Sequence, residues 1–187
     1  SLSISMREPM MNDKLIVALD VSNIKEAEKL VETLSPTVKI FKVGKELFTS
    51  AGPEVVKMVH GRGAKVFLDL KFHDIPNTVQ GACAAAAKLG VFMLNVHASG
   101  GKKMMEAAMK GLAQIQESNP KASRTLIIGV TVLTSMGQDE LSEIGISKKL
   151  EEQVVSLAML AKRAGLNGVV ASPKEIEMIR KSAGEDF

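Results

Sequence analysis

The chain has 187 residues, a net charge of +3, and 45% hydrophobic and 24% charged residues. That is an ordinary globular balance, large enough for one domain with a buried core. Its lysines are scattered and it has neither Trp nor Tyr, which argues against a nucleic-acid binder built on a basic face with stacking aromatics. A single cysteine, Cys83, rules out an internal disulfide or a multi-cysteine metal site, and no apolar run approaches the ~18 residues of a membrane span.

Residues 1–13 are polar and unpatterned and lack the apolar stretch of a signal peptide. They read as a disordered or tag-like start before a single domain over 14–187. Leu15 to Asp20 reads as a buried strand. Asn23 is a candidate N-cap with Glu26 three residues on, and apolar residues at 24, 27, 30, 31 and 34 predict a helix from Ile24 to about Leu34. A second strand runs from Val38 to Val43 and ends at Gly44. Pro53 opens a helix through Val55, Val56 and Val59, closed by Gly61. A third strand runs from Ala64 to Lys71, and Pro76 and Asn77 open an alanine-rich helix that ends at Gly90. Phe92 to His97 is the fourth strand. The helix after Gly100 and Gly101 ends near Pro120. Thr125 to Val132 is the fifth strand, and a polar connection leads to a helix over Lys148 to Ala164. Gly168 to Ala171 is the sixth strand, and Pro173 opens a last helix that runs to about Ala183.

Continuous apolar strands alternating with helices predict an α/β protein with a parallel sheet. Asp20, Lys42, Asp69, Lys71, His97 and Thr134 all fall at or just past the C-terminal ends of predicted strands. In a closed barrel those ends converge on one mouth. In an open sheet they would spread along an edge. The expectation is a (β/α)8 TIM barrel, with six strand–helix units in this chain. Barrels of this class have ~250 residues, with ~200 as a lower bound. A C-terminally incomplete barrel is therefore expected, continuing for about two more units.

The most informative segment is Asp69-Leu70-Lys71-Phe72-His73-Asp74-Ile75-Pro76-Asn77-Thr78. Side chains two apart on a strand share a face, so Asp69 and Lys71 should project together, with Asp74 in the turn that follows. Charges crowded at the mouth of an apolar strand cost desolvation energy. With Asp20 and Lys42 they form a series of alternating sign. A lysine between carboxylates keeps its proton, which suits a fixed cation and proton donor better than a Schiff-base nucleophile. Such a site fits a reaction whose transition state gains negative charge on carbon. A structural ion-pair ring filling one layer of the barrel is the alternative at this point.

The same segment resembles the signature of the orotidine 5′-phosphate decarboxylase family in its bacterial form. Val17-Ala18-Leu19-Asp20, Phe41-Lys42-Val43-Gly44-Lys45-Glu46, Asn95-Val96-His97-Ala98-Ser99-Gly100-Gly101, Val130-Thr131-Val132-Leu133-Thr134-Ser135 and Gly168-Val169-Val170-Ala171-Ser172 resemble it in the same order, over residues 14–187. The resemblance implies loss of CO2 from orotidine 5′-monophosphate to give uridine 5′-monophosphate in pyrimidine biosynthesis, with no cofactor and no metal. By the same resemblance Lys71 is the proton donor to C6 and Asp69 the carboxylate beside the departing CO2. Lys42 ties the ribose to the charge network, and Asp20 holds a ribose hydroxyl. Asp74, Ile75 and Thr78 reach into a neighbouring subunit's site, implying a homodimer, and Thr134 contacts the pyrimidine. The resemblance further implies a cytoplasmic enzyme with a small nucleotide substrate and neither nucleic-acid nor membrane partners. The family's Thr-Pro-Gly-Ile-Arg strand and loop, Gly-Asp-Gln segment and final Gly-Arg turn, which hold the substrate phosphate, have no counterpart in this sequence. Their absence puts efficient catalysis by the chain as it stands in doubt, because remote phosphate contacts supply binding energy used in the transition state.

Two other functions compete. One is a magnesium-dependent phosphosugar decarboxylase of the same superfamily, disfavoured by His73-Asp74-Ile75-Pro76. The other is a non-catalytic, nucleotide-binding barrel fragment. Among the remaining residues, His73 is expected to hydrogen-bond within the turn, and His97 either lines the mouth or is structural. His60 is expected to be a helix C-terminal charge or cap. Gly100 and Gly101 fit either an anion site or a turn. Cys83, Met104, Met105 and Met109 read as packing residues.

Overall fold

The computed structural model describes residues 14–187, so the expectation for residues 1–13 lies outside it. The chain divides into two compact units, with the boundary after Asp69. The first contains β1 (Ile16–Ala18), α1 (Ile24–Leu34), β2 (Ile40–Gly44), α2 (Lys45–Ala51), α3 (Glu54–Gly61) and the greater part of β3 (Lys65–Phe72). All its strand pairings are parallel. Ile16 to Ala18 lie opposite Ile40 to Lys42, and Ile40 to Gly44 lie opposite Lys65 to Asp69. Such pairs need a crossover, which the helices supply.

Local chemistry sets the boundaries. The Glu26 amide donates to Asn23 Oδ1 at 3.0 Å, so Asn23 is the N-cap of α1. Ala27 and Val31 are the buried residues of α1, and Val55, Val56 and Val59 those of α3. Phe41, Val43, Val66 and Leu68, all buried, bring the strands into the core of this unit. On its surface the Arg62 guanidinium donates to Glu28 and Glu32 of α1. His60 sits in the last turn of α3, but burial pushes its imidazole below the usual value. Burial thus favours the neutral ring and works against the expected terminal charge.

The second unit starts in the last residues of β3. It continues with α4 (Pro76–Lys88), β4 (Met93–His97), a 3-10 turn over Ala98–Gly100, α5 (Lys102–Ser118), β5 (Leu126–Val130), α6 (Gln138–Glu143), α7 (Leu150–Arg163), β6 (Gly168–Val170) and α8 (Ile176–Ala183). β4 pairs in parallel with β5, and β5 with β6. Asn167 clamps β5: its Oδ1 accepts from the Ile127 amide at 2.8 Å, while its own amide donates to the Ile127 carbonyl. α4 and α5 lie against each other. Gly111 is what lets them approach, since a Cβ there would stand 2.2 Å from the Gln80 carbonyl oxygen. Met104, Met105 and Cys83 are buried packing residues. Gly101 caps α5 at φ 93°, so a turn requirement accounts for it.

Several boundaries differ from those expected. Every strand but β3 is shorter, notably β1 and β5, and β3 keeps its expected length shifted by one residue. α2 lies between the expected second strand and the helix at Pro53, where no element is expected, and α6 lies in the expected polar connection. α6 is anchored by Glu140, whose carboxylate accepts the Gly137 amide and is held below the usual range by backbone hydrogen bonds. The last helix opens at Ile176, because the Ser172 amide donates to Glu175 Oε1 at 3.0 Å and holds the residues after Pro173 in a turn.

Candidate active site

In the first unit the end of β1 is tied to β2 by the Leu19 amide, which donates to the Lys42 carbonyl at 2.9 Å. Asp20 follows directly and is exposed. Lys42 is the third residue of β2, and its side chain passes towards β3. Its Nζ lies 3.4 Å from Asp69 Oδ2. Asp69 is 7% exposed, so this carboxylate has exchanged most of its water for protein. An ammonium at that distance offsets part of the cost. Of the charged series read in the sequence, the structure brings these two into direct contact.

β3 then crosses into the second unit, and its geometry changes. Lys71 has φ 50°, the only non-glycine positive φ among the described residues. Left-handed backbone on a residue with a Cβ costs about 1–2 kcal/mol and persists where its surroundings over-determine it. Alternation requires extended backbone at both residues, and Lys71 leaves it. Its amide instead donates to Asn95 Oδ1 on β4 at 2.9 Å, and Asn95 is 1% exposed.

The turn that follows is open to solvent. His73, Asp74, Ile75 and Thr78 are all exposed. Asp74 Oδ1 accepts the Ile75 amide at 2.6 Å, which fixes the chain just before Pro76 starts α4. Ile75 is 67% exposed, an unusual position for a large aliphatic side chain. The His73 ring stacks at a tilt against His97, with centroids 5.3 Å apart. Both line a small cavity with Ser99, Thr131 and Leu157. Thr131 Oγ1 there is buried with no hydrogen-bond partner among the described residues. Thr134 is exposed in the turn after β5. It borders a separate cavity of about 230 Å³ together with Leu150, Ser172 and Lys174.

Sequence reasoning overlooked Asn95 as a residue of the site. Its signal was present: an amide in the middle of the apolar run Phe92-Met93-Leu94-Asn95-Val96, where a buried polar group needs a partner.

The model of the orotidine 5′-phosphate decarboxylase / HUMPS family matches residues 13–187. The chain belongs to that family. It is 55% identical to an orotidine 5′-phosphate decarboxylase of Moorella thermoacetica, a match covering 94% of this chain and 69% of the relative. It is 54% identical to one from Legionella pneumophila, covering 95% and 75%. Among solved structures, an orotidine 5′-phosphate decarboxylase from Lactobacillus acidophilus superposes with a TM-score of 0.86 at 41% identity, covering 92% of this chain and 77% of that one. An uncharacterized conserved protein from Geobacillus kaustophilus gives 0.87 at 43%, covering 92% and 80%. The α/β class read from the sequence, and its assignment to the TIM-barrel architecture, are those of the orotidine 5′-phosphate decarboxylase family.

Proposed function

We propose that this chain decarboxylates orotidine 5′-monophosphate to uridine 5′-monophosphate without a cofactor, in the synthesis of pyrimidine nucleotides. The observation that carries the reading is the Lys42–Asp69 pair, whose carboxylate is buried within β3, followed two residues later in the sequence by a lysine at positive φ. In the reaction the bond from C6 to the substrate carboxylate breaks and CO2 departs. The electron pair stays on C6 and takes a proton from Lys71 Nζ. The carbanion lies in the ring plane and is poorly delocalised, so a preplaced ammonium is the main source of stabilisation. Asp69 sits beside the departing CO2, and Lys42 links Asp69 to the ribose. Asp20 holds a ribose hydroxyl and Thr134 contacts the pyrimidine.

The same reading makes the protein a homodimer with shared sites, in which Asp74, Ile75 and Thr78 of one protomer complete the site of its partner. The exposure of Ile75 supports this, since burying it against a second copy removes apolar surface from water. A reducing cytoplasm suits a chain whose lone thiol is buried.

The test is decarboxylation by the purified full-length protein, with two variants. Lys71→Ala should keep its circular dichroism spectrum and lose turnover. Near-normal turnover would show that another group supplies the proton. Lys71→Ala and Asp74→Asn, each inactive alone, should regain activity when mixed under subunit exchange. One site of the mixed dimer then holds an intact Lys71 and the partner's intact Asp74. If exchange is demonstrated and activity stays absent, Asp74 acts within its own chain.

A further inference from the structure

We infer that Asn95 is a positioning residue for Lys71 that acts through the lysine's backbone; this rests on the decarboxylase reading above. The Lys71 amide is a strong donor at the point where β3 leaves extended geometry, and Asn95 Oδ1 accepts it at 2.9 Å. Asn95 is itself held rigidly. It is the middle residue of β4, it lies in register with Ile128 of β5, and its neighbours Leu94 and Val96 are completely buried. The acceptor oxygen is therefore a fixed point, and the left-handed turn at Lys71 is built on it.

The choice of residue follows from the chemistry. An apolar side chain would suit the interior of β4 better but would leave the Lys71 amide without this acceptor. A carboxylate would accept the same hydrogen bond at the cost of burying a charge. A neutral amide fixes the backbone without that cost. Releasing the amide lets Lys71 relax towards extended backbone, which swings its side chain away from the direction set by the turn. Displacements of this kind act on the rate of the chemical step more than on ground-state binding.

The experiment compares Asn95→Ala, which removes the acceptor, with Asn95→Asp, which keeps an oxygen in its place. The readouts are kcat, the Kd of uridine 5′-monophosphate, the melting temperature and hydrogen exchange at the Lys71 amide. Asn95→Ala should lose kcat by about 100-fold while its product Kd stays within about threefold, and Lys71 exchange should accelerate. Asn95→Asp should recover most of the lost kcat. The inference is overturned if folded Asn95→Ala turns over like the parent protein, or if product affinity falls in step with kcat. If Asn95→Ala does not fold, folded Asn95→Asp decides: kcat near that of the parent supports the inference, and a loss as large as 100-fold overturns it. Absence of turnover in the full-length parent protein would refute the decarboxylase reading instead, and Lys71 exchange in the two variants would still test the hydrogen bond.

Discussion

Gly111 of α5 meets the backbone of Gln80 on α4 so closely that any Cβ would lie 2.2 Å from the Gln80 carbonyl oxygen and 3.1 Å from its carbon. Backbone atoms within a helix cannot move aside as a flexible side chain can. α4 begins directly after Asp74 and Ile75, so this contact also sets where the solvent-facing turn stands. Gly111→Ala should destabilise the protein by about 1–3 kcal/mol, the usual cost of overpacking, despite alanine's higher helix propensity. Thermal melting measures this. A variant as stable as the parent would show that the helices separate freely.

Lys42→Met should lower kcat by about 100-fold, as expected when a fixed charge in the site is removed. The stability cost should be smaller, about 1 kcal/mol. Lys42 is partly exposed, so the several kcal/mol seen when a fully buried pair is broken must be discounted for solvent. A double-mutant cycle with Asp69→Asn, read by urea midpoints, isolates the pair. Additive effects would mean that the 3.4 Å contact contributes nothing to folding.

Burial pushes the Cys83 thiol up to about 12, so very little thiolate exists near neutrality. Together with its complete burial, this predicts no reaction with iodoacetamide in the native protein and one equivalent of labelling in urea. Rapid native labelling, detected by mass spectrometry, would mean that α4 opens locally.

Desolvation lowers the His60 pKa from 6.5 in the folded protein. As pH falls, the unfolded chain binds this proton first. The contribution of His60 to stability is therefore complete above pH 6.5 and is lost as pH drops through the folded value. His60→Gln should flatten the pH dependence of the melting temperature in that window. An unchanged profile would assign the acid sensitivity to other groups.

The alternation of strands and helices was legible because each strand is a short apolar run and each long helix carries a regular buried stripe. The N-cap at Asn23 was legible because its chemistry is local. α2 escaped notice for a physical reason: it has seven residues and buries only Leu47, too little for a periodic signal. The charged residues of the site were legible as residue types at strand ends. Their arrangement was not, because neither the positive φ at Lys71 nor the acceptor of its amide, 24 residues further on, has a local signal. His60 shows the same limit, since a histidine in a last helical turn reads as a charge until its burial is seen.

Each observed pairing within a unit joins a strand to the next one in the chain: β1 to β2, β2 to β3, β4 to β5 and β5 to β6. Among the described residues, none of these pairings needs a strand from the far end of the polypeptide. Loop-closure entropy is thus met in modest instalments, and the sheet can grow in the order in which a ribosome releases it. A nascent chain that has delivered β1, α1 and β2 already has a pairing to make, which shortens the time that its apolar strand edges stand exposed to other chains.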